Sequence, residues 1–216
     1  MRGRGPIIGW LAVVGGAIAL VAWLWIDAVR AGRHEHDHRD DPPLPALASV
    51  PGFALEDRSG RTIEAARDLR GRVFVADFIF TSCAGTCPRL TGRMLELQRA
   101  HGKRDDFRLV SITVDPEVDT VERLARFASD YGASPDRWFF LRGDKAATIG
   151  LAREGFRLAA GTPSAGASED TIHSNRLVLV DRGLAIRGYY DGTDDSAFAR
   201  LVHDLERVLA EGGARP

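Results

Sequence analysis

The two cysteines of this chain, Cys83 and Cys87, have the clearest capacity for chemistry. They lie four positions apart in DFIFTSCAGTCP, between an apolar run and a helical pattern, so both sulfurs share one face if this turn is helical. Ligands of α/β folds lie at such junctions of strand and helix. The first-turn amides and the dipole of a helix favour a thiolate over a thiol. We therefore expect the two thiols to act together.

Three kinds of chemistry are open to this pair. The thiols could bind a soft metal such as Cu(I), cycle between dithiol and disulfide, or form an inert structural disulfide. A loop as short as the one between Cys83 and Cys87 closes little chain entropy, so a structural disulfide would contribute about 2 kcal/mol or less. The sequence favours metal binding or redox chemistry and leaves the choice between them open.

A metal site would need a further ligand, and His173 is the candidate. It precedes the apolar segment SNRLVLVD, which is expected to form a strand beside the central one. A lone histidine at a strand start is more often a surface or capping residue. Upstream, His34, His36 and His38 alternate with acidic residues and could capture divalent metals loosely, or form only a solvated spacer.

Three aspartates near these segments have simpler interpretations. Asp119 or Thr120 is predicted to cap the next helix, and Asp115 before Pro116 suits a turn. Asp77 lies among apolar residues of the strand before the cysteines, so burial is predicted to raise its pKa. Asp77 could then shuttle protons for the thiols or satisfy a neighbouring backbone group.

The elements that position these residues follow from the apolar periodicity. Strands are predicted at 72–80, 107–114 and 138–141, and hairpins at 53–63 and 174–191. Helices are predicted at 88–100, 120–132, 144–154 and 196–210. This order indicates an α/β sheet with helices on both faces, and fits a thioredoxin-like fold with an N-terminal β-hairpin and insertions.

The N-terminus differs from the rest of the chain. Residues 6–26 are apolar and uncharged, long enough to span a bilayer, with Arg2 and Arg4 before them. The run is too long for a signal peptide and lacks a small-residue cleavage site. We therefore predict a membrane anchor at 1–27, a His/Pro-rich tether at 28–50 and a domain at 51–212 outside the cytoplasm.

Composition excludes several classes of protein. The chain has 216 residues, 44% hydrophobic and 27% charged, with a net charge of -1. This is a globular composition without the basic surplus of a nucleic-acid-binding protein. Two cysteines also exclude a disulfide-dense secreted scaffold.

Three segments in order resemble the Sco/SenC family. They are DFIFTSCAGTCP (77–88), SITVDPEVDT (111–120) and TIHSNRLVLVD (171–181), and the resemblance covers roughly residues 45–210. Members are thioredoxin-like, membrane-anchored proteins that serve assembly of the copper centre CuA of cytochrome c oxidase. The resemblance implies one bound copper, with Cys83, Cys87 and His173 as its ligands.

Two positions depart from the family pattern. Members often have Asp directly before the histidine, where this chain has Ile172, so a carboxylate that orients the imidazole is in doubt. Members also often have Pro where this chain has Val121.

The resemblance implies a copper metallochaperone without turnover chemistry, anchored in the inner membrane by one helix, with its domain in the periplasm. Its partner would be the copper-receiving subunit of cytochrome c oxidase. The alternative is a thiol-disulfide oxidoreductase that reduces the cysteines of that subunit, with Cys83 and Cys87 as catalytic residues. A thiol peroxidase is disfavoured because Ala76 and Phe80 stand where its proline and threonine would be.

Overall fold

A computed structural model describes residues 20–23, 25, 42–83, 85–158 and 174–211. The chain divides into two compact units, Met1–Asp40 and Asp41–Pro216. Most of the predicted anchor lies outside the described residues, as do His34, His36, His38 and His173; residues 20–23 and 25 are helical. No helix within the described ranges is both long and apolar enough to cross a membrane.

An eight-stranded sheet forms the second unit, in the order β1-β8-β7-β4-β5-β6-β2-β3. Strands β4, β5 and β6 run parallel, while β7 lies antiparallel to β4 on its other side. The strands are β1 (Ala48–Ser49), β2 (Ala54–Asp57), β3 (Thr62–Glu64), β4 (Val73–Ile79), β5 (Phe107–Thr113), β6 (Trp138–Arg142), β7 (Arg176–Val180) and β8 (Ala185–Asp191). All seven residues of β4 are buried, as its continuous apolar run predicts.

Helices cover both faces of the sheet, as predicted. The helices are α1 (Cys87–His101), α2 (Val121–Asp130), α3 (Lys145–Gly150) and α4 (Asp195–Ala210), with π-helical turns at Ala65–Leu69 and Leu151–Gly155. One hydrophobic core lies between the sheet and α1, α2 and α4. The other lies beneath α3 and the two π-helical turns. Successive β4 side chains alternate between these cores, since neighbouring residues of a strand face opposite sides.

The first strand was not predicted. Strand β1 lies within the segment assigned to the tether, pairs with β8, and is followed by the buried Val50. At two residues it is too short for any apolar period to reveal. The predicted 53–63 hairpin is present as β2 and β3, and Gly60 takes the positive φ of 78° in its turn. Pairing of β2 with β6 adds this hairpin to the sheet edge.

Candidate functional site

The two cysteines lie where β4 meets the N-terminus of α1. Strand β4 ends at Ile79, and Cys87 is the first residue of α1, with Pro88 beside it in the first turn. Proline is tolerated there because first-turn amides have no partner within the helix. The Cys83 amide donates to the Phe80 carbonyl at 3.2 Å, so the chain turns sharply before it reaches the helix. The predicted junction of strand, thiols and helix is confirmed.

The Cys83 sulfur lies against the backbone that leads into α1. Thr86 occupies the N-cap position, but its side chain makes no capping hydrogen bond. The backbone amides of Gly85, Thr86 and Cys87 donate to the Cys83 sulfur instead. Burial raises the pKa of this half-buried thiol, but the bonds from the Cys87 thiol and these amides outweigh burial, and the net pKa lies below its ordinary value. Cys83 is therefore the thiol that ionises first.

Cys87 has the opposite character. Its side chain is buried, and burial raises its pKa to about 12, assisted by the hydrogen bond it donates to Cys83. The Phe80 amide donates to the Cys87 sulfur, which favours the thiolate only in part. One accessible, acidic thiol beside one protected, basic thiol is the arrangement of a dithiol in which the first sulfur reacts and the second follows.

Asp77 lies on the sheet face that α1 covers. Its side chain is 1% exposed, and burial raises its pKa to about 7 against the effect of a hydrogen bond from the Ser111 hydroxyl at 2.6 Å. The Trp138 indole donates to the same hydroxyl at 2.9 Å. Oxygen Oδ2 of Asp77 has no hydrogen-bond partner in the described residues. The prediction of a buried Asp77 with a raised pKa is therefore confirmed, and its partner is a side-chain hydroxyl.

The DPEVDT segment forms the turn before α2. Thr120 caps α2, because its hydroxyl accepts from the Arg123 amide at 3.3 Å. The Asp115 carbonyl accepts from the amides of Val118 and Asp119, which confirms the predicted turn. Asp119 instead turns its carboxylate toward Thr81, a contact that sequence reasoning missed. The two residues are 38 positions apart, and no spacing or periodicity indicates such a contact.

The described part of the chain holds no cluster of three histidine, cysteine or acidic side chains that could enclose a metal ion. The two thiols therefore need a ligand from elsewhere for a three-coordinate site, and His173 lies outside the described residues. Strand β7 begins three positions after His173 and runs antiparallel to β4. Its first residue, Arg176, thus lies at the end of the sheet that carries the cysteines.

The topology and the dithiol loop define an α/β thioredoxin-like domain with its two thiols at a helix N-terminus. The family model described as SCO1/SenC matches residues 43–210, and the chain belongs to this family. It is 30% identical over 164 residues to a SCO1 protein homolog of Bacillus subtilis, which covers 75% of this chain and 83% of that protein.

Solved structures agree with this family and fold. BsSco, described as a member of the Sco family of cytochrome c oxidase assembly proteins with a disulfide switch, matches with a TM-score of 0.66 and 28% identity. The match covers 77% of this chain and 98% of that one. Bradyrhizobium japonicum ScoI with copper bound matches with a TM-score of 0.59 and 26% identity, over 74% and 99% of the two chains.

Proposed function

We propose that this protein is a membrane-anchored copper metallochaperone that serves the CuA site of cytochrome c oxidase. Cys83, Cys87 and His173 bind one copper ion, as cargo, and release it to the copper-receiving subunit. The observation that carries the proposal is the pair of reduced thiols at the N-terminus of α1, Cys83 half-buried and Cys87 buried. Thiolates select Cu(I), and partial exposure leaves the metal open to exchange with a partner thiolate.

The relatives support the metal and the pathway. One structural neighbour is named as copper-bound, and another as belonging to a family of cytochrome c oxidase assembly proteins. The direction of β7 supports His173 as the third ligand, because the strand that follows this histidine begins at the cysteine end of the sheet. The metal-free thiols ionise unequally, so copper binding releases the proton of Cys87.

The anchor is part of the proposal. Residues 6–26 are uncharged and long enough to span a bilayer, and Arg2 and Arg4 favour a cytoplasmic N-terminus. The domain would then lie in the periplasm, with the sheet connected to the inner membrane through the tether. Protease treatment of intact spheroplasts tests this topology, and a domain that stays protected there contradicts it.

Competition for Cu(I) tests the site itself. The full-length protein in detergent, reduced and anaerobic, is titrated against a Cu(I) chelator of known affinity. Wild type should bind one tight copper, Cys83→Ser and Cys87→Ser should lose it, and His173→Ala should weaken it. His203→Ala is the matched control, since His203 is an exposed histidine on α4. A variant lacking His34, His36 and His38 reports any contribution of the tether. Equal binding by wild type and both serine variants contradicts the proposal.

The unequal thiols also favour a second function, a thiol-disulfide oxidoreductase acting on the same partner. The Cys83 thiolate attacks one sulfur of a partner disulfide, forming a mixed disulfide and releasing the other partner sulfur as a thiolate. Cys87 then attacks the Cys83 sulfur, and its proton passes to the released thiolate. The products are the Cys83–Cys87 disulfide and a reduced partner dithiol. Rapid reduction of a partner disulfide without competitive copper binding would establish this function instead.

A further inference from the structure

A buried carboxylate outside the proposed ligand set holds the start of the cysteine loop. Asp119 has no exposed surface, and it receives both donors of Thr81. The Thr81 amide donates to its Oδ2 at 3.1 Å, and the Thr81 hydroxyl donates to its Oδ1. The Thr113 hydroxyl donates to Oδ2 at 2.5 Å. This carboxylate thus ties the end of β5 and the following turn to the residue two positions before Cys83.

Thr81 is held from a second direction as well. Arg123 Nε, on the first turn of α2, donates to the Thr81 hydroxyl at 2.5 Å and lies 3.7 Å from Asp119 Oδ1. The hydroxyl therefore donates to the carboxylate and accepts from the guanidinium, which fixes its orientation. Thr81 is therefore held by hydrogen bonds at both its backbone amide and its hydroxyl.

The loop that presents Asp119 is hydrogen-bonded to β6. Arg142 on β6 donates from Nε to the Asp119 carbonyl at 3.1 Å and from Nη2 to the Pro116 carbonyl at 3.0 Å. Its Nη1 pairs with Glu56 at 2.9 Å. The Asp115 amide donates to the Thr113 hydroxyl at 3.0 Å. These bonds hold the Asp119 carboxylate in place relative to the sheet, and Thr81 is hydrogen-bonded to that carboxylate.

We propose that Asp119 is a positioning residue for the dithiol: through Thr81 it fixes the backbone that leads to Cys83, so that the Cys83 sulfur stays beside Cys87 before any metal binds. The loop is held at its far end by α1, whose first residue is Cys87. With the near end held by Asp119, the backbone that enters Cys83 is restrained before copper binds. The expected effect on copper binding rests on the proposed function. The positioning itself rests only on contacts within the metal-free protein.

A carboxylate is required at this position because donors converge on both of its oxygens. In Asp119→Asn, one oxygen becomes an NH₂ group that faces a donor. Hydroxyls can rotate away from it, but the Thr81 amide cannot. Thr81→Val removes the hydroxyl and keeps the amide and the carboxylate, while Thr81→Ser keeps all three groups. Asp119→Asn and Thr81→Val therefore weaken the contact between Asp119 and Thr81 in different ways, and Thr81→Ser preserves it.

Asp57 offers the matched control. It is a buried aspartate, 2% exposed, that accepts from the Ser59 hydroxyl at 2.8 Å and from the Ser59 and Phe140 amides at 3.1 Å. Strand β2, which carries it, is three strand spacings from β4 in the sheet, roughly 14 Å away. Asp57→Asn therefore disturbs a similar carboxylate with similar donors, without contact to the cysteine loop.

Two measurements on the full-length protein test the inference. In metal-free protein equilibrated with glutathione buffers, Asp119→Asn and Thr81→Val should lower the effective concentration of the two thiols about tenfold, which raises the midpoint potential by about 30 mV. In Cu(I) competition, both variants should bind about 10- to 100-fold more weakly. Thr81→Ser and Asp57→Asn should keep the wild-type potential and affinity, although Asp57→Asn lowers the urea midpoint.

The outcomes separate positioning from stability. The inference is overturned if Asp119→Asn lowers the urea midpoint as Asp57→Asn does but leaves the midpoint potential of the thiols unchanged. Should Asp119→Asn fail to fold, Thr81→Val and its rescue by Thr81→Ser decide in its place. If wild type binds no copper, the proposed function fails, but the glutathione equilibrium still tests whether Asp119 positions the thiols.

Discussion

Buried charged groups at opposite ends of the sheet can be held in different ways. At the end where β4 begins, the Arg187 side chain is 7% exposed and pairs with Asp181 at 3.0 Å and Glu211 at 2.8 Å. At the end where β4 finishes, the buried Asp77 accepts a hydrogen bond from the Ser111 hydroxyl, and the buried Cys87 lies beside the Cys83 thiol. Removing one member of a buried charge pair destabilises the fold, whereas groups without a counter-charge keep shifted pKa values and so remain available for reaction.

The same contrast exists within the cysteine end. Asp119 is surrounded by donors from Thr81 and Thr113, whereas Asp77 leaves Oδ2 without a partner in the described residues. The first carboxylate is built to hold a loop, and the second is built to change protonation near neutral pH. Burial alone therefore does not assign a role to an aspartate; the number of its donors does.

The largest effect we expect is the difference in reactivity between the two thiols. With metal-free, reduced protein at pH 7, iodoacetamide should alkylate Cys83 faster than Cys87 by two orders of magnitude or more, because thiolate fraction follows pKa. Mass spectrometry of quenched samples identifies the modified residue. Comparable rates for the two residues would remove the asymmetry on which the oxidoreductase alternative depends.

Breaking the Arg187 ion pairs should lower the free energy of unfolding and leave the thiols unchanged. Arg187→Met leaves two acidic groups without their partner, and we expect a loss of about 2–3 kcal/mol in the free energy of unfolding, since Glu211 is partly exposed. Arg89→Met is the control, because the Arg89–Asp195 pair is exposed and should contribute within about 0.5 kcal/mol. Urea unfolding measures both, and a similar loss in the two variants contradicts the comparison.

The buried Asp77 should reveal itself through pH. The folded protein raises the pKa of Asp77 to about 7, so the folded state holds this proton more tightly than the unfolded state. The protonated Asp77 therefore contributes to the free energy of unfolding. This contribution is complete below the pKa of the unfolded state and is lost as pH rises through 7. Asp77→Asn should therefore gain about 2–3 kcal/mol relative to wild type between pH 5 and pH 8. Urea midpoints at both pH values measure this, and a constant difference would show that Asp77 does not titrate there.

The smallest effect concerns the caps of α1 and α2. Thr120→Ala removes a side-chain cap of α2 and should cost about 1 kcal/mol. Thr86→Ala should cost less, because the Thr86 side chain makes no cap bond to α1. Thermal unfolding of the two variants under reducing conditions measures the difference. An equal loss in the two variants would show that the Thr120 cap bond contributes nothing.

Much of the fold could be predicted because its signals are local. The buried β4 and β5 are mostly apolar runs. The helical spacing of apolar residues predicts α1 and α4 to within one residue of their observed bounds. Strand β1 could not be predicted in this way, because it is defined only by pairing with β8 near the other end of the chain.

Residue types and their spacing already define the chemistry open to this protein: two thiols four residues apart at a strand–helix junction, in motifs that identify the family. Which thiol is the more acidic is set by folding, because the pKa of each thiol depends on its burial and on the amides that donate to its sulfur. Folding also brings Asp119 to the cysteine loop, and it leaves Asp77 Oδ2 without a hydrogen-bond partner in the described residues. Residue type and spacing are properties of the chain, whereas desolvation and long-range hydrogen bonds exist only once distant segments meet.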